Sequence, residues 1–123
     1  MKVFFVCVGN SCRSQMAEGL ARSMGLEAAS AGTHPAESVA EHALTLLNSR
    51  GINTDGMRPQ SIDEFNPGDF DMIISMGCGV HCPVLNIDED WGLEDPVGMP
   101  YEAYEQTAAE IQRRLEQLVN QAS

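Results

Sequence analysis

Cys7 and Arg13 stand six positions apart, at the two ends of a segment of mostly small residues. A loop of this length between a strand and a helix can wrap around a tetrahedral oxyanion, because its backbone N–H groups and the helix N-terminus supply positive potential. A cysteine at the base of such a loop has its thiolate stabilised and can act as a nucleophile. We therefore predict that Cys7 is a nucleophile and that Arg13 closes the ring. The predicted oxyanion-binding residues are Val8, Gly9, Asn10, Ser11, Cys12, Arg13 and Ser14.

Two other side chains of this segment have alternative roles that the sequence leaves open. Ser14 can donate a hydroxyl hydrogen bond to the Cys7 thiolate, and it can also serve near the start of the following helix. Cys12 can be a small apolar filler, or it can form a reversible disulfide with Cys7 under oxidation. A purely structural role for Cys7 is disfavoured, because burial alone needs no Gly-Asn-Ser turn after it.

Two distal cysteines, Cys78 and Cys82, occur in a glycine-containing segment at 76–83. The glycines make this segment deformable, so a disulfide between the two thiols is within reach. A metal site is the alternative, since Cys78, His81 and Cys82 offer three ligands, but a structural zinc site usually takes four. We expect a thiol relay, because an oxidised Cys7 needs a resolving thiol.

Asp95 precedes a proline in an acidic segment. Proline biases the preceding residue toward an extended conformation and so restricts the direction of its carboxylate. Near a bound oxyanion, this carboxyl group can act as a general acid that protonates a leaving oxygen. The alternative is an ordinary turn residue in an acidic loop.

Alternating strand and helix patterns surround these groups. Short apolar, β-branched or aromatic runs predict strands, and apolar residues at helical spacing predict helices. The predicted strands cover residues 2–7, 26–31, 71–76 and 84–87, and the predicted helices cover residues 13–25, 36–50 and 100–121. This alternation predicts a single α/β domain over 1–123, with a parallel sheet and helices on both faces. Ligands bind beyond the carboxyl ends of such strands, so we expect Cys7, Cys78 and Asp95 to meet at one rim.

Composition limits the partners of the chain. The formal net charge is −11 and Lys2 is the only lysine, which disfavours nucleic acid because phosphate contacts need clustered cations. The apolar runs are too short to cross a bilayer, and no export signal precedes the first strand pattern. Four cysteines in this setting indicate a reducing compartment, so we expect a cytoplasmic protein. We also expect the protein to be a monomer.

The segment 7–19 resembles the anion-binding loop of the low-molecular-weight tyrosine phosphatase superfamily. It is most similar to that of the arsenate reductases that share this fold and couple to thioredoxin. The resemblance extends through residues 30–32, the cysteine-bearing segment at 76–83, and residues 91–96. It therefore covers most of the chain, and it implies a four-stranded parallel sheet flanked by helices.

The resemblance also implies roles for individual residues. Cys7 would be the nucleophile, Arg13 the oxyanion clamp and Asp95 the general acid. From this we expect reduction of arsenate to arsenite through a Cys7–arsenic adduct that Cys78 and then Cys82 resolve. Thioredoxin or a similar thiol carrier would supply the electrons, with no tightly bound cofactor.

Three alternatives remain beside this expectation. One is a phosphatase of the same fold, although Val97-Gly98 follows Asp95-Pro96 where the phosphatases have aromatic residues. Another is a reductase whose adduct is resolved by glutathione or mycothiol, and the distal cysteines are indeed closer together than in the thioredoxin-coupled enzymes. The third is a non-enzymatic sensor module. Some relatives also hold a monovalent cation, and a potassium ion would lie near the matching residues Asn10, Ser30, Ser61 and Asp63.

Overall fold

The computed structural model describes residues 1–77 and 86–122, and these form one sheet of four parallel strands with three α-helices. The strands are β1 (Lys2–Cys7), β2 (Glu27–Gly32), β3 (Met72–Ser75) and β4 (Glu89–Asp90), in the order β2-β1-β3-β4. The helices are α1 (Arg13–Ser23), α2 (Glu41–Ser49) and α3 (Tyr101–Ala122), and two 3-10 turns cover Ile62–Glu64 and Pro67–Asp69. The predicted parallel sheet is confirmed.

The central strand β1 is buried on both sides, which explains its continuous apolar sequence. On one face, Phe5 belongs to the main core together with residues of α1, α2 and α3. On the other face, Phe4 stacks on Phe70 with ring centroids 4.5 Å apart and also contacts Phe65. In the described part of the chain, this second face is therefore covered by residues 62–70, which contain the two 3-10 turns, whereas the α-helices pack together on the first face.

The second helix begins later than its sequence pattern predicts. The prediction placed it over 36–50, but α2 covers Glu41–Ser49. The backbone N–H groups of Ala36 and Ala40 instead donate to the carbonyls of Gly9 and Ser11. Residues 36–40 are thus held in contact with the N-terminal loop, and this competes with helix formation.

The fourth strand is also shifted from its predicted position. The prediction covered 84–87, of which only 86–87 lie among the described residues, and these two are not in a strand. The observed β4 consists of Glu89–Asp90, which pair with Ile74 and Ser75 at the edge of the sheet. An edge strand needs backbone pairing on one side only, so two exposed acidic residues can form it.

A membrane-spanning segment is not found among the helices of the described residues, since none combines the required length with the required hydropathy.

Candidate active site

The loop that joins β1 to α1 is supported from outside by the segment 33–40. Four of its carbonyl oxygens accept backbone N–H hydrogen bonds of 2.8–3.2 Å: Cys7 from Thr33, Val8 from His34, Gly9 from Ala36 and Ser11 from Ala40. A fifth, the carbonyl of Asn10, accepts from Gln15 Nε2 at 3.1 Å. The loop backbone is therefore fixed by its neighbours rather than by its own short-range contacts.

This support determines the direction in which the loop N–H groups point. In a trans peptide unit the carbonyl and the following N–H point in opposite directions. Holding the carbonyls of residues 7–11 from outside therefore turns the N–H groups of residues 8–12 toward the loop interior. Converging N–H groups at the start of a helix form an anion-binding concavity.

The sulfur of Cys7 lies in this concavity, and the residue as a whole is only 2 % exposed. The N–H of Asn10 donates to Cys7 Sγ at 3.0 Å, and Ser14 Oγ lies 2.9 Å from the same sulfur. Asn10 reaches this position with a φ of +51°, in the left-handed region that Asn tolerates better than most residues. Cys7 and the loop residues thus lie together as the sequence predicted.

Asn10 also donates to the hydroxyl that lies beside the sulfur. Its Oδ1 accepts from the backbone N–H of Gln60 at 2.9 Å, which identifies Nδ2 as the donor atom. Nδ2 then donates to Ser14 Oγ at 2.7 Å and to Ser30 Oγ at 3.0 Å. The Ser14 proton is consequently free to point at Cys7 Sγ, where it stabilises a thiolate.

Sequence reasoning missed two buried polar residues that complete this network. Gln15 Nε2 lies within hydrogen-bonding distance of Asn10 Oδ1 and of the carbonyl of Arg58, at 3.0 and 2.8 Å. Glu18 accepts from Ser30 Oγ at 2.9 Å, and burial raises the pKa of Glu18, although Arg22 at 3.4 Å opposes this. One sequence signal could have indicated them: the first turns of α1 contain several polar residues, although the rest of the buried part of this helix is apolar.

Arg13 reaches from the start of α1 across to the segment that follows β4. Its Nη1 donates to the carbonyl of Leu93 at 2.9 Å, and its Nη2 lies 3.8 Å from Asp95 Oδ2. Gly77 makes room for this guanidinium, since a Cβ there would lie 2.5 Å from Nη1 and 2.7 Å from the Leu93 carbonyl oxygen. Arg13 is therefore placed beside the loop opening, where it can meet an anion.

Asp95 lies at the same opening, with a half-exposed side chain. Its Oδ1 accepts from the backbone N–H of Val97 at 3.1 Å, which is the turn geometry that the sequence offered as an alternative. The thiol of Cys12 donates to the same oxygen at 3.4 Å. Both interpretations of Asp95 are thus compatible, because the turn holds the carboxyl group near the loop.

The four residues considered for a potassium ion fall into two pairs. Asn10 and Ser30 are hydrogen-bonded to each other inside the buried network. Ser61 Oγ accepts from the N–H of Asp63 and caps a 3-10 turn. The oxygens of Asn10 and Ser30 are already engaged by protein groups, so this arrangement does not fit a cation without rearrangement.

The distal thiols Cys78 and Cys82, and His81 between them, lie outside the described residues. Gly77, the residue directly before Cys78, is described and lies against Arg13. The prediction was that Cys7, Cys78 and Asp95 meet at one rim, and the structure joins Asp95 to the Cys7 loop through Cys12 and Arg13. The expected meeting with Cys78 remains a prediction.

Comparisons with known proteins agree with this geometry. Residues 2–123 match the family described as low molecular weight phosphotyrosine protein phosphatase. The glutaredoxin arsenate reductase of Synechocystis sp. is 39% identical over 129 residues, which cover 99% of this chain and 98% of that protein.

Two solved structures are similar over nearly the whole chain. An arsenate reductase in the phosphate binding state has a TM-score of 0.90 and 38% identity, and covers 99% of this chain and 98% of its own. An arsenate reductase from Archaeoglobus fulgidus DSM 4304 has a TM-score of 0.84 and 38% identity, with coverage of 96% and 98%. The chain therefore belongs to the low molecular weight phosphotyrosine protein phosphatase family, among its arsenate reductases.

Proposed function

We propose that this chain reduces arsenate to arsenite with Cys7 as the nucleophile. The observation that carries the proposal is the position of Cys7 Sγ, which accepts a hydrogen bond from the Asn10 N–H and lies 2.9 Å from the Ser14 hydroxyl oxygen inside the anion-binding loop. Arsenate and phosphate are both tetrahedral oxyanions, and the similar arsenate reductase described in a phosphate binding state supports oxyanion binding at this loop.

In the first step the Cys7 thiolate attacks the arsenic atom of arsenate. The loop N–H groups and Arg13 bind the non-leaving oxygens and stabilise the charge that develops on them. A sulfur–arsenic bond forms and an arsenic–oxygen bond breaks, while Asp95 gives a proton to the departing oxygen, which leaves as water. Arsenic is still in the +5 state on the resulting adduct.

In the second step a thiolate attacks Cys7 sulfur, and the sulfur–arsenic bond breaks. The bonding pair leaves with arsenic, which becomes arsenite, while two thiols are oxidised to one disulfide. We propose Cys78 as this thiol, because it follows Gly77 and Gly77 lies against Arg13 at the loop opening. Cys82 then attacks Cys78, which releases the Cys7 thiolate for the next cycle.

An external thiol system must supply the two electrons for each turnover, and we place the reaction in a reducing cytoplasm. The sequence resemblance favours a thioredoxin-like carrier, whereas the 39% identical Synechocystis relative carries glutaredoxin in its name. We propose that a thiol carrier of one of these two classes reduces the oxidised protein. Arsenate-dependent NADPH oxidation with thioredoxin and its reductase, and separately with glutaredoxin and glutathione, identifies the donor.

Replacing the distal thiols tests the order of the relay. Cys78→Ser should abolish arsenate turnover with either donor, because Cys7 loses its resolving thiol. Cys82→Ser should give at most about one turnover and accumulate a Cys7–Cys78 disulfide. Mass spectrometry of the oxidised Cys82→Ser protein checks this, and a disulfide without Cys7 or full turnover of Cys78→Ser would overturn the order.

Phosphomonoester hydrolysis is a second candidate, because the family match and the position of Asp95 beside Arg13 and Cys12 of the Cys7 loop serve that reaction equally well. Cys7 would form a phosphoryl adduct, and Asp95 would protonate the leaving alcohol. This reaction needs no distal thiol. Cys78→Ser should therefore keep any hydrolysis of an aryl phosphate while it loses arsenate turnover.

A further inference from the structure

Cys12 is a buried thiol that the proposed mechanism leaves without a role. It occupies the N-cap position of α1 and is 2 % exposed, yet its side chain makes no capping hydrogen bond to the helix. The thiol instead donates to Asp95 Oδ1 at 3.4 Å, across a separation of 83 residues. The side chain therefore links the oxyanion-binding loop to the loop that carries Asp95.

Three groups hold the carboxyl group of Asp95, and a bound substrate would change the contact of each group with Asp95 differently. The Val97 N–H, at 3.1 Å, lies in the same turn as Asp95 and moves with it. Arg13, at 3.8 Å, is the group that must meet a bound oxyanion. Among the described residues, Cys12 connects Asp95 to the oxyanion-binding loop through a neutral donor that makes no other hydrogen bond.

The surroundings of Cys12 keep it in the form that can donate. Burial raises the pKa of the Cys12 thiol, and the nearby negative charge of Asp95 raises it further, while Arg13 opposes this. The side chain therefore remains an uncharged S–H at neutral pH. Tyr104 on α3 borders the same place, and burial together with the charges of Cys12 and Asp95 raises the pKa of Tyr104.

We propose that Cys12 is a positioning residue that aims the carboxyl group of Asp95 at the leaving oxygen. When Arg13 turns to the oxyanion, the Cys12 S–H···Oδ1 hydrogen bond keeps Asp95 over the loop. The proton that reaches the leaving oxygen comes from Asp95, and Cys12 is neither oxidised nor deprotonated in the step. This inference rests on the proposed general-acid role of Asp95.

A double-mutant cycle tests the proposal in the full-length protein. Cys12→Ala should lower kcat/KM for arsenate by about 5–10-fold, since it removes one hydrogen bond to the carboxyl group that acts as the acid. Cys12→Ser, whose hydroxyl can donate to the same oxygen, should recover activity to within about twofold of the wild type. In an Asp95→Asn background, Cys12→Ala should cause no further loss, because the group that it positions is already removed.

Binding of inorganic phosphate provides the readout that a purely structural role of Cys12 would move. The loop N–H groups that bind the anion belong to the backbone, so Cys12→Ala should leave the Kd for phosphate unchanged by calorimetry. A weakened Kd in parallel with kcat/KM would show a distorted loop and would overturn the proposal. Thermal melts confirm that each variant is folded before it is measured.

Two outcomes separate this inference from the proposed role of Asp95. If Asp95→Asn reacts with arsenate as fast as the wild type, the general-acid role fails and the positioning role fails with it. If Asp95→Asn is slow but Cys12→Ala costs the same factor in both backgrounds, only the positioning role is overturned.

The contact itself has a test that needs no turnover. Removing the charge of Asp95 should make the Cys12 thiol easier to deprotonate. Iodoacetamide should therefore alkylate Cys12 faster in Asp95→Asn than in the wild type at pH 9. Peptide mass spectrometry measures the rate. Equal rates in the two proteins would contradict the electrostatic link between the two side chains.

Discussion

The sulfur of Cys7 accepts one hydrogen bond from the backbone and lies 2.9 Å from a side-chain hydroxyl. The Asn10 N–H is fixed by the loop fold, whereas the Ser14 oxygen accepts from Asn10 Nδ2, which leaves the hydroxyl proton free to point at the sulfur. A hydroxyl that donates to a thiolate forms a charge-assisted hydrogen bond, which is stronger than one between neutral groups. Ser14 is therefore the side chain whose removal should affect the nucleophile most selectively.

We predict that Ser14→Ala slows alkylation of Cys7 by iodoacetamide at pH 7 by about 10-fold, because one thiolate hydrogen bond is lost. Peptide mass spectrometry measures the rate at Cys7. Ser23→Ala is the matched control, since Ser23 lies on the same helix and donates to the carbonyl of Leu20 instead. A Cys7 rate that is equal in Ser14→Ala and wild type would contradict the assigned direction of this hydrogen bond.

At the scale of single residues, the sequence predicted the loop residues that lie around Cys7 and missed the buried polar residues that hold them. Cys7, Ser14 and Arg13 follow from a local spacing, because one loop brings them together. Gln15 bonds to the carbonyl of Arg58, 43 residues away, and Glu18 bonds to Ser30 on β2. Such partners exist only once the sheet has formed, so local spacing does not contain them.

Among the elements, the segment 33–40 contributes as much as α1 to holding the anion-binding loop in place. It was predicted in part as helix, since nothing in its sequence reveals that its N–H groups donate to the loop carbonyls. Its approach requires Gly32 at the end of β2. A Cβ at that position would lie 2.4 Å from the carbonyl oxygen of Val8 and 3.0 Å from the Asn10 nitrogen.

Gly32→Ala should therefore damage anion binding and stability together. Both close contacts are with backbone atoms, so the loop must shift, and we expect a loss of about 1–3 kcal/mol in the free energy of unfolding. We also expect at least about 10-fold weaker phosphate binding, because the N–H groups leave their common centre. Denaturant unfolding and calorimetry measure the two effects.

Gly68→Ala is the control for this substitution. Gly68 is exposed in a 3-10 turn, and a Cβ there would lie 3.4 Å from Asn66 Oδ1, at the edge of ordinary van der Waals contact. Phosphate binding should be unchanged in this variant. If Gly32→Ala binds phosphate as tightly as Gly68→Ala, segment 33–40 does not set the loop geometry.

Helix α3 carries an ion pair whose effect depends on pH. Arg113 and Arg114 both donate to Glu110, at 3.0 and 2.9 Å through their Nε atoms, and together they hold the pKa of Glu110 at about 2. A carboxyl with a lowered folded-state pKa stabilises the protein above its unfolded pKa, and this contribution is lost as the pH falls toward 2. The cluster is exposed to solvent, so the effect is small.

We predict that Glu110→Gln lowers Tm at pH 7 by about 2 °C and that the difference from wild type shrinks as the pH falls from about 4.5 toward 2. Calorimetric melts across this pH range give the comparison, with Glu105→Gln, an exposed position on the same helix, as the control. A difference that grows on acidification would have the wrong sign for this pair.

Across the whole molecule, the parallel topology is what turns scattered residues into one site. Cys7 ends β1, Gly77 lies just beyond β3, and Asp95 lies beyond β4, and Gly77 and Asp95 both lie against Arg13 of the loop that begins at Cys7. A meeting of groups beyond the strand ends was predicted from the order of strands and helices. The exact position of β4 was not, because an edge pair as short as Glu89–Asp90 leaves no apolar pattern in the sequence.

The protein also binds its anion against its own charge. With a formal net charge of −11, the molecule as a whole repels arsenate and phosphate. The attraction must come from the loop N–H groups, the start of α1 and Arg13, all within one Debye length of the anion. The site is therefore a local exception that the geometry of the loop creates.

The central claim is that Cys7 in this loop forms the bond to arsenic. Its most direct test is a single turnover of fully reduced protein with arsenate and no external thiol, followed by arsenite quantification and disulfide mapping. We predict about one arsenite per chain in wild type, with Cys7 bonded to arsenic or in a disulfide at early times and a Cys78–Cys82 disulfide at the end, and no arsenite from Cys7→Ser. Arsenite production by Cys7→Ser, or an oxidised wild-type protein whose Cys7 remains a free thiol throughout the turnover, would contradict the account.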